Sequence, residues 1–361
     1  MENKFFLWLT GIFVFLILLT GCKQNDNELK IGVLAPLTGP LAKYGEDMRR
    51  GFDMALEDFD AQDNKVRLVY EDVTCLDVKQ ATTALNKLKS FDEVRAFLGS
   101  FCGHIIKSTA EFSTMNGIFS ITPGDNFGKI GDYIISSRYL LEKEARLLGE
   151  YALSKGWKNL AVLYLNNDWG IGYKDGINSY LETNDGKVIA TESYFWDNLD
   201  VRTQLIKIKE KNPDALFIID GTAQGVIFRQ IKELGLELPL LSEWQVEDWG
   251  KEVDKSVIEG VYYFAPVIEE DSLFRQRFKE KYGVEAYTLS IDSYDAAIIL
   301  SEALENCEKE NYDAQCMTDY VTNLKDYEGA GGKLTFDKET WSFDKPFQLK
   351  TVKNGEFVVL D

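Results

Sequence analysis

Short apolar runs alternate along the chain with longer segments of helical periodicity. Residues 160–165 (LAVLYL) and 215–219 (ALFII) are almost wholly apolar, which is typical of strands that are covered on both faces of a sheet. Residues 46–59 instead repeat apolar positions every three or four residues, which predicts an amphipathic helix. This alternation predicts right-handed crossovers and mostly parallel sheets.

The pattern divides into two runs of strands and helices. The first run predicts strands at 29–34, 66–70, 96–99, 118–121 and 133–137, with helices at 46–59, 78–88 and 105–115. The second run predicts strands at 160–165, 188–194, 215–219, 238–241 and 257–265, with helices at 140–154, 170–181, 205–211 and 225–234. Three helices follow at 271–282, 291–305 and 313–324, and a terminal hairpin joins 346–352 to 357–360 through an Asn-Gly turn. Two doubly wound units predict an α/β fold whose ligand cleft lies between them, at the carboxyl ends of the strands.

The N-terminal residues follow a different pattern. Residues 5–19 are apolar apart from Thr10 and Gly11, and this stretch is shorter than the roughly 20 residues of a membrane-spanning helix. Small residues and Cys22 follow it, as in a bacterial lipoprotein signal. The sequence therefore predicts a signal peptide at 1–21, lipid on Cys22, a polar tether at 22–28 and an extracytoplasmic protein anchored to the cell membrane. The alternative is an uncleaved N-terminal anchor in which Cys22 has no role.

Export affects how the other four cysteines are interpreted, because an oxidising compartment favours disulfides. Cys307 and Cys316 are nine residues apart with polar residues between them, which favours a local bridge. The second predicted bridge then joins Cys75 to Cys102. Four buried free thiols are the alternative.

The composition argues against several classes of function. The chain of 361 residues carries 40 Lys and Arg against 59 Asp and Glu, a net charge of -19, which repels nucleic-acid backbones. Its one histidine, His104, cannot form a histidine-based metal centre by itself. Glycine-rich dinucleotide and phosphate-binding motifs are absent from the sequence, and so is a nucleophile elbow. We therefore expect no cofactor, no metal, no nucleic acid and no enzymatic activity, with an exported enzyme that uses paired carboxylates as the alternative.

Several segments resemble a known family in the same order along the chain. Residues 30–45, which include IGVLAPLTGPLAKYG, resemble the opening of the type I periplasmic binding proteins of branched-chain amino-acid importers. The further similar segments are Tyr70-Glu71-Asp72, Lys79-Gln80-Ala81, GSFCG at 99–103, GIFSITP at 117–123, Asn167-Asp168-Trp169-Gly170 with Gly172, and Phe228-Arg229-Gln230 with Gly235-Leu236. The resemblance covers residues 29–361.

The resemblance implies a solute-binding protein of an ABC importer, with two lobes that close on the solute by hinge motion. Three crossovers are expected near 136–138, 264–267 and 342–345. They would give a first lobe of 29–137 plus 266–343 and a second lobe of 138–265 plus 344–361. The expected partners are a small solute, the importer's permease and, through the lipid, the membrane, with the protein itself a monomer. A receptor module of the same fold that senses an amide or amino acid without transport is the alternative.

The family's binding positions carry over to eleven residues of this chain. They are Tyr44, Gly103, His104, Gly124, Asp125, Asn126, Trp169, Gly221, Thr222, Glu243 and Trp244.

Two of these positions depart from the family pattern, because Gly103 and Asn126 stand where hydroxyl-bearing residues are usual. The backbone N–H groups of Gly103 and Gly124 are still expected to bind the solute's anionic end at a helix start. The side chains of His104 and Asn126 add donors. The departures put selectivity for leucine in doubt but leave the solute-binding interpretation unchanged.

The other positions predict an amino acid or a close relative, such as an amide-bearing solute. Asp125 or Glu243 is expected to pair with its amine, because a desolvated charge needs a partner. Tyr44, Trp169 and Trp244 are expected to cover its apolar part.

Overall fold

Two mostly parallel sheets form the body of the protein. The structure is a computed structural model that describes residues 29–60, 66–75, 77–220, 225–269 and 272–360. The predicted signal peptide, the lipidation site Cys22 and the tether lie outside the described residues, as do Gly221 and Thr222. Within the described ranges, no helix combines the length and the apolar character that crossing a membrane requires.

The first sheet is wholly parallel, with the strand order β2-β1-β3-β4-β5. Its strands are β1 (Leu29–Ala35), β2 (Val66–Asp72), β3 (Ala96–Leu98), β4 (Phe119–Thr122) and β5 (Ile134–Ser136). The connecting helices are α1 (Ala42–Asp60), α2 (Val78–Ser90) and α3 (Gly103–Asn116).

The second sheet has a parallel part in which β7 and β10 are the outer strands. Its helices are α4 (Leu141–Ser154), α5 (Asp168–Thr183), α6 (Arg202–Glu210), α7 (Val226–Glu233) and α8 (Gln245–Gly250). Its parallel strands are β6 (Asn159–Leu165), β7 (Lys187–Tyr194), β8 (Ala215–Ile219), β9 (Leu240–Ser242) and β10 (Tyr262–Pro266). A 3-10 turn, Lys255–Val257, precedes β10.

The chain then returns to the first sheet and crosses back once more. The returning elements are α9 (Leu273–Tyr282), α10 (Thr288–Asn306), the 3-10 turn Glu308–Glu310, α11 (Ala314–Thr322), and the small antiparallel sheet of β11 (Tyr327–Gly329), β12 (Gly332–Asp337) and β13 (Ser342–Asp344). The last two strands, β14 (Phe347–Lys353) and β15 (Glu356–Val359), extend the second sheet in the order β15-β14-β10-β9-β8-β6-β7. The described chain thus passes between the sheets three times, after β5, after β10 and after β13. This confirms the predicted two-lobe α/β fold.

Each sheet is covered on both faces, which explains the near-continuous apolar runs. On β6, Ala161 and Leu163 pack into one apolar cluster, whereas Leu160 and Val162 pack into another. Because alternate residues of a strand point to opposite faces, both sets need apolar side chains. In the first sheet, α10 packs against α1 beside the strands and fills one of the two faces.

The structure differs from the predicted elements in a few places. The strand predicted at 257–265 begins only at Tyr262, because a 3-10 turn ends at Val257 and Gly260 takes a positive φ of 80° before β10 begins. Helix α8 and the sheet of β11, β12 and β13 have no predicted counterpart. Helix α1 begins at Ala42, four residues before the predicted start, and Gly45 fits there because a Cβ would lie 2.0 Å from the carbonyl oxygen of Pro36.

Candidate functional site

A cavity lies between the two lobes, at the carboxyl ends of the strands of both sheets. It is lined by segments that follow β3, β4, β6, β7 and β9, and by helices α1 and α8. The cavity has a volume of about 150 Å³. Its lining residues are Pro40, Leu41, Lys43, Tyr44, Asp47, Cys75, Phe101, Cys102, Gly103, His104, Asp125, Arg138, Leu165, Asn167, Asp168, Trp169, Trp196, Trp244, Gln245, Asp248, Trp249, Tyr287 and Leu289. This is where ligands bind in folds of this kind.

The start of α3 forms one wall of the cavity. Cys102 precedes the helix without a side-chain cap, so backbone N–H groups at the first turn are presented to the cavity. Gly103 allows a close approach between the lobes, since an added Cβ would lie 2.9 Å from Cβ of Asp168. Cys102 is bonded to Cys75, and both line the cavity. The predicted bridges Cys75–Cys102 and Cys307–Cys316 are thus both present in the structure.

His104 follows on the same turn of α3. Burial lowers the pKa of its imidazole despite the nearby carboxylate of Asp168. Its Nε2 is buried and lacks a hydrogen-bond partner within the described part of the chain.

Seven aromatic rings of the described residues line the cavity. They are Tyr44, Phe101, Trp169, Trp196, Trp244, Trp249 and Tyr287. The ring of Tyr44 packs on Phe101 at 5.4 Å, and the guanidinium of Arg138 lies 4.8 Å from the ring centroid of Trp244. Such a wall can bury the apolar body of a ligand and attract a cation.

Four carboxylates face the cavity, and they differ in how they are paired. Asp168 lies 3.1 Å from Nζ of Lys107, and Asp125 lies 3.5 Å from Nη1 of Arg138. Burial raises the pKa of Asp125 to about 6 despite that guanidinium. Asp248 makes neither a hydrogen bond nor an ion pair with another described residue.

Two ion pairs bridge the cleft beside the cavity. Lys107 of α3 pairs with Asp168 of α5. Lys43 of α1 pairs with Glu252, which follows α8. The lobes are therefore in direct contact on the described residues around the cavity.

A buried ionic cluster joins the crossovers to the first lobe. Arg138, on the first crossover, lies with its Nε 3.2 Å from Oδ2 of Asp292, and Lys345, on the third, lies with its Nζ 2.7 Å from Oδ1 of the same carboxylate. Asp125 is the second partner of Arg138. We call Arg138, Asp125, Asp292 and Lys345 the crossover cluster. Since Arg138 also lines the cavity, the cluster connects the cavity wall to the first and third crossovers.

Glu144 anchors the segment of the cavity wall that contains Trp244. This fully buried carboxylate accepts hydrogen bonds from the hydroxyls of Tyr139 and Tyr173, at 3.0 and 2.5 Å, and from the backbone N–H of Trp244 at 3.0 Å. Burial raises its pKa to about 7 in spite of these bonds. The start of α8 is thereby fixed to α4.

We expect the unliganded protein to lose stability as the pH rises from about 5 to about 7. Burial raises the pKa of Asp47, Asp125 and Asp295 to about 6, and that of Glu144 and Asp248 to about 7. Because the folded state binds more protons than the unfolded chain in this window, its advantage falls as these groups ionise. Urea denaturation at pH 5, 6, 7 and 8 should show a loss of about 1–3 kcal/mol in the free energy of unfolding. A free energy that increases from pH 5 to pH 7 would contradict the assignment.

The sequence of residues 28–356 matches the family model described as periplasmic binding protein. The chain belongs to the periplasmic binding protein family. The sequence resemblance to the type I binding proteins of the Leu/Ile/Val family is thereby confirmed.

This binding protein has relatives whose names refer to amino acids. An amino acid binding protein of Pseudomonas aeruginosa is 26% identical over 226 residues, which cover 60% of each chain. Leu/Ile/Val-binding protein homolog 7 of Brucella suis is 24% identical over 321 residues, covering 80% of this chain and 79% of the relative. The match thus spans less than two thirds of the Pseudomonas protein.

Among solved structures, the fold is similar to a solute binding protein of an ABC transporter from Rhodopseudomonas palustris. That protein was crystallised with 3,4-dihydroxy benzoic acid. The TM-score is 0.82 at 18% identity, covering 92% of this chain and 96% of that one. At this identity the likeness shows the fold alone.

In this binding protein the cavity brings together six of the predicted site residues. They are Tyr44, Gly103, His104, Asp125, Trp169 and Trp244. Their contact with a solute stays a prediction.

Three other predicted residues do not line the cavity. Gly124 is a packing residue, since a Cβ there would lie 2.5 Å from Cα of Phe101. The amide of Asn126 donates to the carbonyl of Arg138 at 3.0 Å and so supports the first crossover. Glu243 has no exposed surface, and burial raises its pKa well above the usual range, with Glu144 adding repulsion.

Other cavity residues were not among the predicted ones. Asp47 lies three residues after Tyr44 on α1, and Asp248 lies four residues after Trp244 on α8. Neither follows from the predicted helices, because Tyr44 precedes the helix predicted at 46–59 and no helix was predicted after Trp244. Arg138 and Tyr287 have no local signal either.

Proposed function

We propose that this binding protein captures a small amino-acid-like solute in the interlobe cavity and delivers it to an ABC importer. The observation that carries the proposal is the cavity itself, in which aromatic rings, carboxylates and the first turn of α3 converge from both lobes. The names of the two relatives support an amino acid as the solute class. Catalysis has no part in this proposal.

Each end of such a solute has a suitable partner in the cavity. The N–H groups at the start of α3, beginning with Gly103, suit the carboxylate. Asp125 suits the ammonium, because its only described cationic partner, Arg138, is 3.5 Å away and is shared with Asp292. Glu243, the other predicted partner of the ammonium, is fully buried and does not line the cavity. Trp169 suits the apolar part.

Delivery would involve hinge closure of two lobes, 29–137 plus 266–343 and 138–265 plus 344–361. The three crossovers between the sheets support this division. The protein would act as a monomer outside the cytoplasm, held at the cell membrane by lipid on Cys22 after removal of the signal peptide, and would dock on the permease of the importer.

Isothermal titration calorimetry with the L-amino acids, their amides and 3,4-dihydroxybenzoic acid tests this function. We expect one amino acid or amide to bind at one site per chain. Trp169→Ala should weaken it by about 2 kcal/mol, roughly 30-fold. Trp157→Ala is the matched control, because Trp157 packs on Tyr151 and Tyr262 away from the cavity and should leave the affinity unchanged.

Two results would contradict the proposal. If only 3,4-dihydroxybenzoic acid binds, the solute is an aromatic acid and not an amino acid, although the cavity remains the binding site. Binding of an amino acid with equal affinity in the Trp169→Ala variant would place the site elsewhere.

A further inference from the structure

The cavity holds more negative than positive side chains among the described residues. Its carboxylates are Asp47, Asp125, Asp168 and Asp248, whereas its fixed cations are Lys43 and Arg138. Lys107, which is not part of the lining, pairs with Asp168, and both lining cations also serve other carboxylates. Lys43 pairs with Glu252, and Arg138 is shared between Asp125 and Asp292. A zwitterionic solute adds no net charge and would leave this excess in place.

Each lobe contributes at least one of the carboxylates that line the cavity without a cation from the lining as their ion-pair partner. Asp47 comes from α1 in the first lobe, and its nearest cation is Arg50, 3.4 Å away on the same helix. Asp248 comes from α8 in the second lobe and has no ion pair or hydrogen bond with any described residue. Burial raises the pKa of Asp248, repulsion from Glu247 and Asp47 adds to this, and Lys251 and Lys43 act against it. A cation placed between Asp47 and Asp248 would remove their repulsion and join the lobes.

An aromatic ring beside this pair already attracts cations of the protein. The ring of Tyr287 lines the same cavity, with Nζ of Lys43 5.7 Å and Nζ of Lys251 5.1 Å from its centroid. Aromatic faces attract ammonium and guanidinium groups.

A second and independent feature indicates a polar ligand here. Trp249 lies next to Asp248, is 3% exposed and lines the cavity. Its buried indole N–H has no acceptor within the described part of the chain. Because buried donors are almost always satisfied, a bound molecule with an acceptor near its cationic end would complete this wall.

We propose that the solute carries a net positive charge, as a basic amino acid does, and that its second cationic group lies between Asp47 and Asp248. The proposal rests on the proposed function and specifies its solute class. Asp47 and Asp248 are then the residues that determine specificity for a cation over a neutral analogue.

Calorimetry on the full chain with matched pairs of amino acids tests the proposal. The pairs are L-arginine with L-citrulline, and L-lysine with L-norleucine, so that each neutral member resembles its cationic partner in length. We expect the cationic member of at least one pair to bind about 10- to 100-fold more tightly. Equal binding within both pairs, or a preference for the neutral members, would overturn the proposal.

Two isosteric variants connect the preference to the carboxylates. Asp248→Asn and Asp47→Asn should each reduce the preference for the cation to near unity while keeping the binding of the neutral member. Asp132→Asn is the control, since Asp132 is exposed in the first lobe beside Lys129 and its loss changes the net charge equally. A preference that survives in both cavity variants would overturn the assignment. Urea denaturation without solute shows that the variants are folded.

The pH dependence gives a further readout. The charged and titratable groups around the pair are Lys43, Tyr44, Glu46, Arg50, Glu247, Lys251, Glu252 and Tyr287. Since the second cationic group binds the ionised carboxylates of Asp47 and Asp248, the affinity of the cation should rise more steeply from pH 5 to pH 8 than that of the neutral member, which depends on Asp125 alone. If the affinity for the cation is constant or falls over this range, Asp47 and Asp248 do not bind it as ionised carboxylates.

The outcomes separate this proposal from the function on which it rests. Binding of leucine or another neutral amino acid, without a cationic preference, would leave the proposed function intact and remove the inference. Binding of putrescine but of no amino acid would keep the cation site and remove the amino-acid solute.

Discussion

The substitution Arg138→Met is expected to lower the free energy of unfolding by about 3–5 kcal/mol. The side chain of Arg138 is 7% exposed and lies between the carboxylates of Asp125 and Asp292. Methionine keeps the length and the apolar stem, so the variant removes the charge rather than the packing. Two buried carboxylates would lose their guanidinium, and Lys345 would have to compensate Asp292 alone. Urea denaturation at pH 7.5 measures the difference.

Arg146→Met is the control for this variant. Arg146 forms an exposed pair with Glu150 one turn along α4, and such pairs contribute about 0–1 kcal/mol. An Arg138→Met variant no less stable than Arg146→Met would show that the crossover cluster does not stabilise the fold. At pH 5 the loss in Arg138→Met should be smaller than at pH 7.5, because burial raises the pKa of Asp125 and protonation then removes its unpaired charge.

Replacing the bridge between Cys75 and Cys102 with alanines is expected to weaken both stability and solute binding. The bridge closes a loop of 27 residues, which corresponds to about 3.6 kcal/mol in the chain-entropy model. Both half-cystines line the cavity, and Cys102 directly precedes α3. Loss of the bridge should therefore loosen the helix start that we propose for the solute's carboxylate.

The second bridge supplies the matched control. Cys307 and Cys316 close a loop of nine residues, worth about 2.6 kcal/mol in the same model, and neither lines the cavity. The Cys307→Ala/Cys316→Ala protein should lose stability but bind the solute with unchanged affinity, as measured by calorimetry below the unfolding temperature. Equal loss of affinity in both double variants would show that the first bridge has no special role at the site.

The fold could be predicted from the sequence where both faces of a strand are covered. The runs at β6 and β8 must be apolar at successive positions, and this signal gave their bounds to within one residue. Helix α8 has only six residues, too few for a periodic pattern. The sheet of β11, β12 and β13 has two three-residue strands and partly exposed faces, so its strands also lack a pattern.

The site could be predicted only in part, because its charges depend on long-range contacts. Tyr44, Trp169 and Trp244 belong to segments with a recognisable pattern, and the cavity brings them together. Asp47 and Asp248 meet only because α1 begins early and α8 exists. The partners of Arg138 and Lys345 in α10 are distant in the chain, and nothing in the local sequence identifies them.

Native mass spectrometry of the full chain tests the central claim most directly. The protein would be mixed with a pool of amino acids, their amides and basic amino-acid relatives, then freed of unbound compounds. We predict one bound small molecule per chain, retained by the parent protein and lost when Trp169→Ala and Trp244→Ala are combined. A parent protein that keeps its unliganded mass with every compound of the pool would contradict the account.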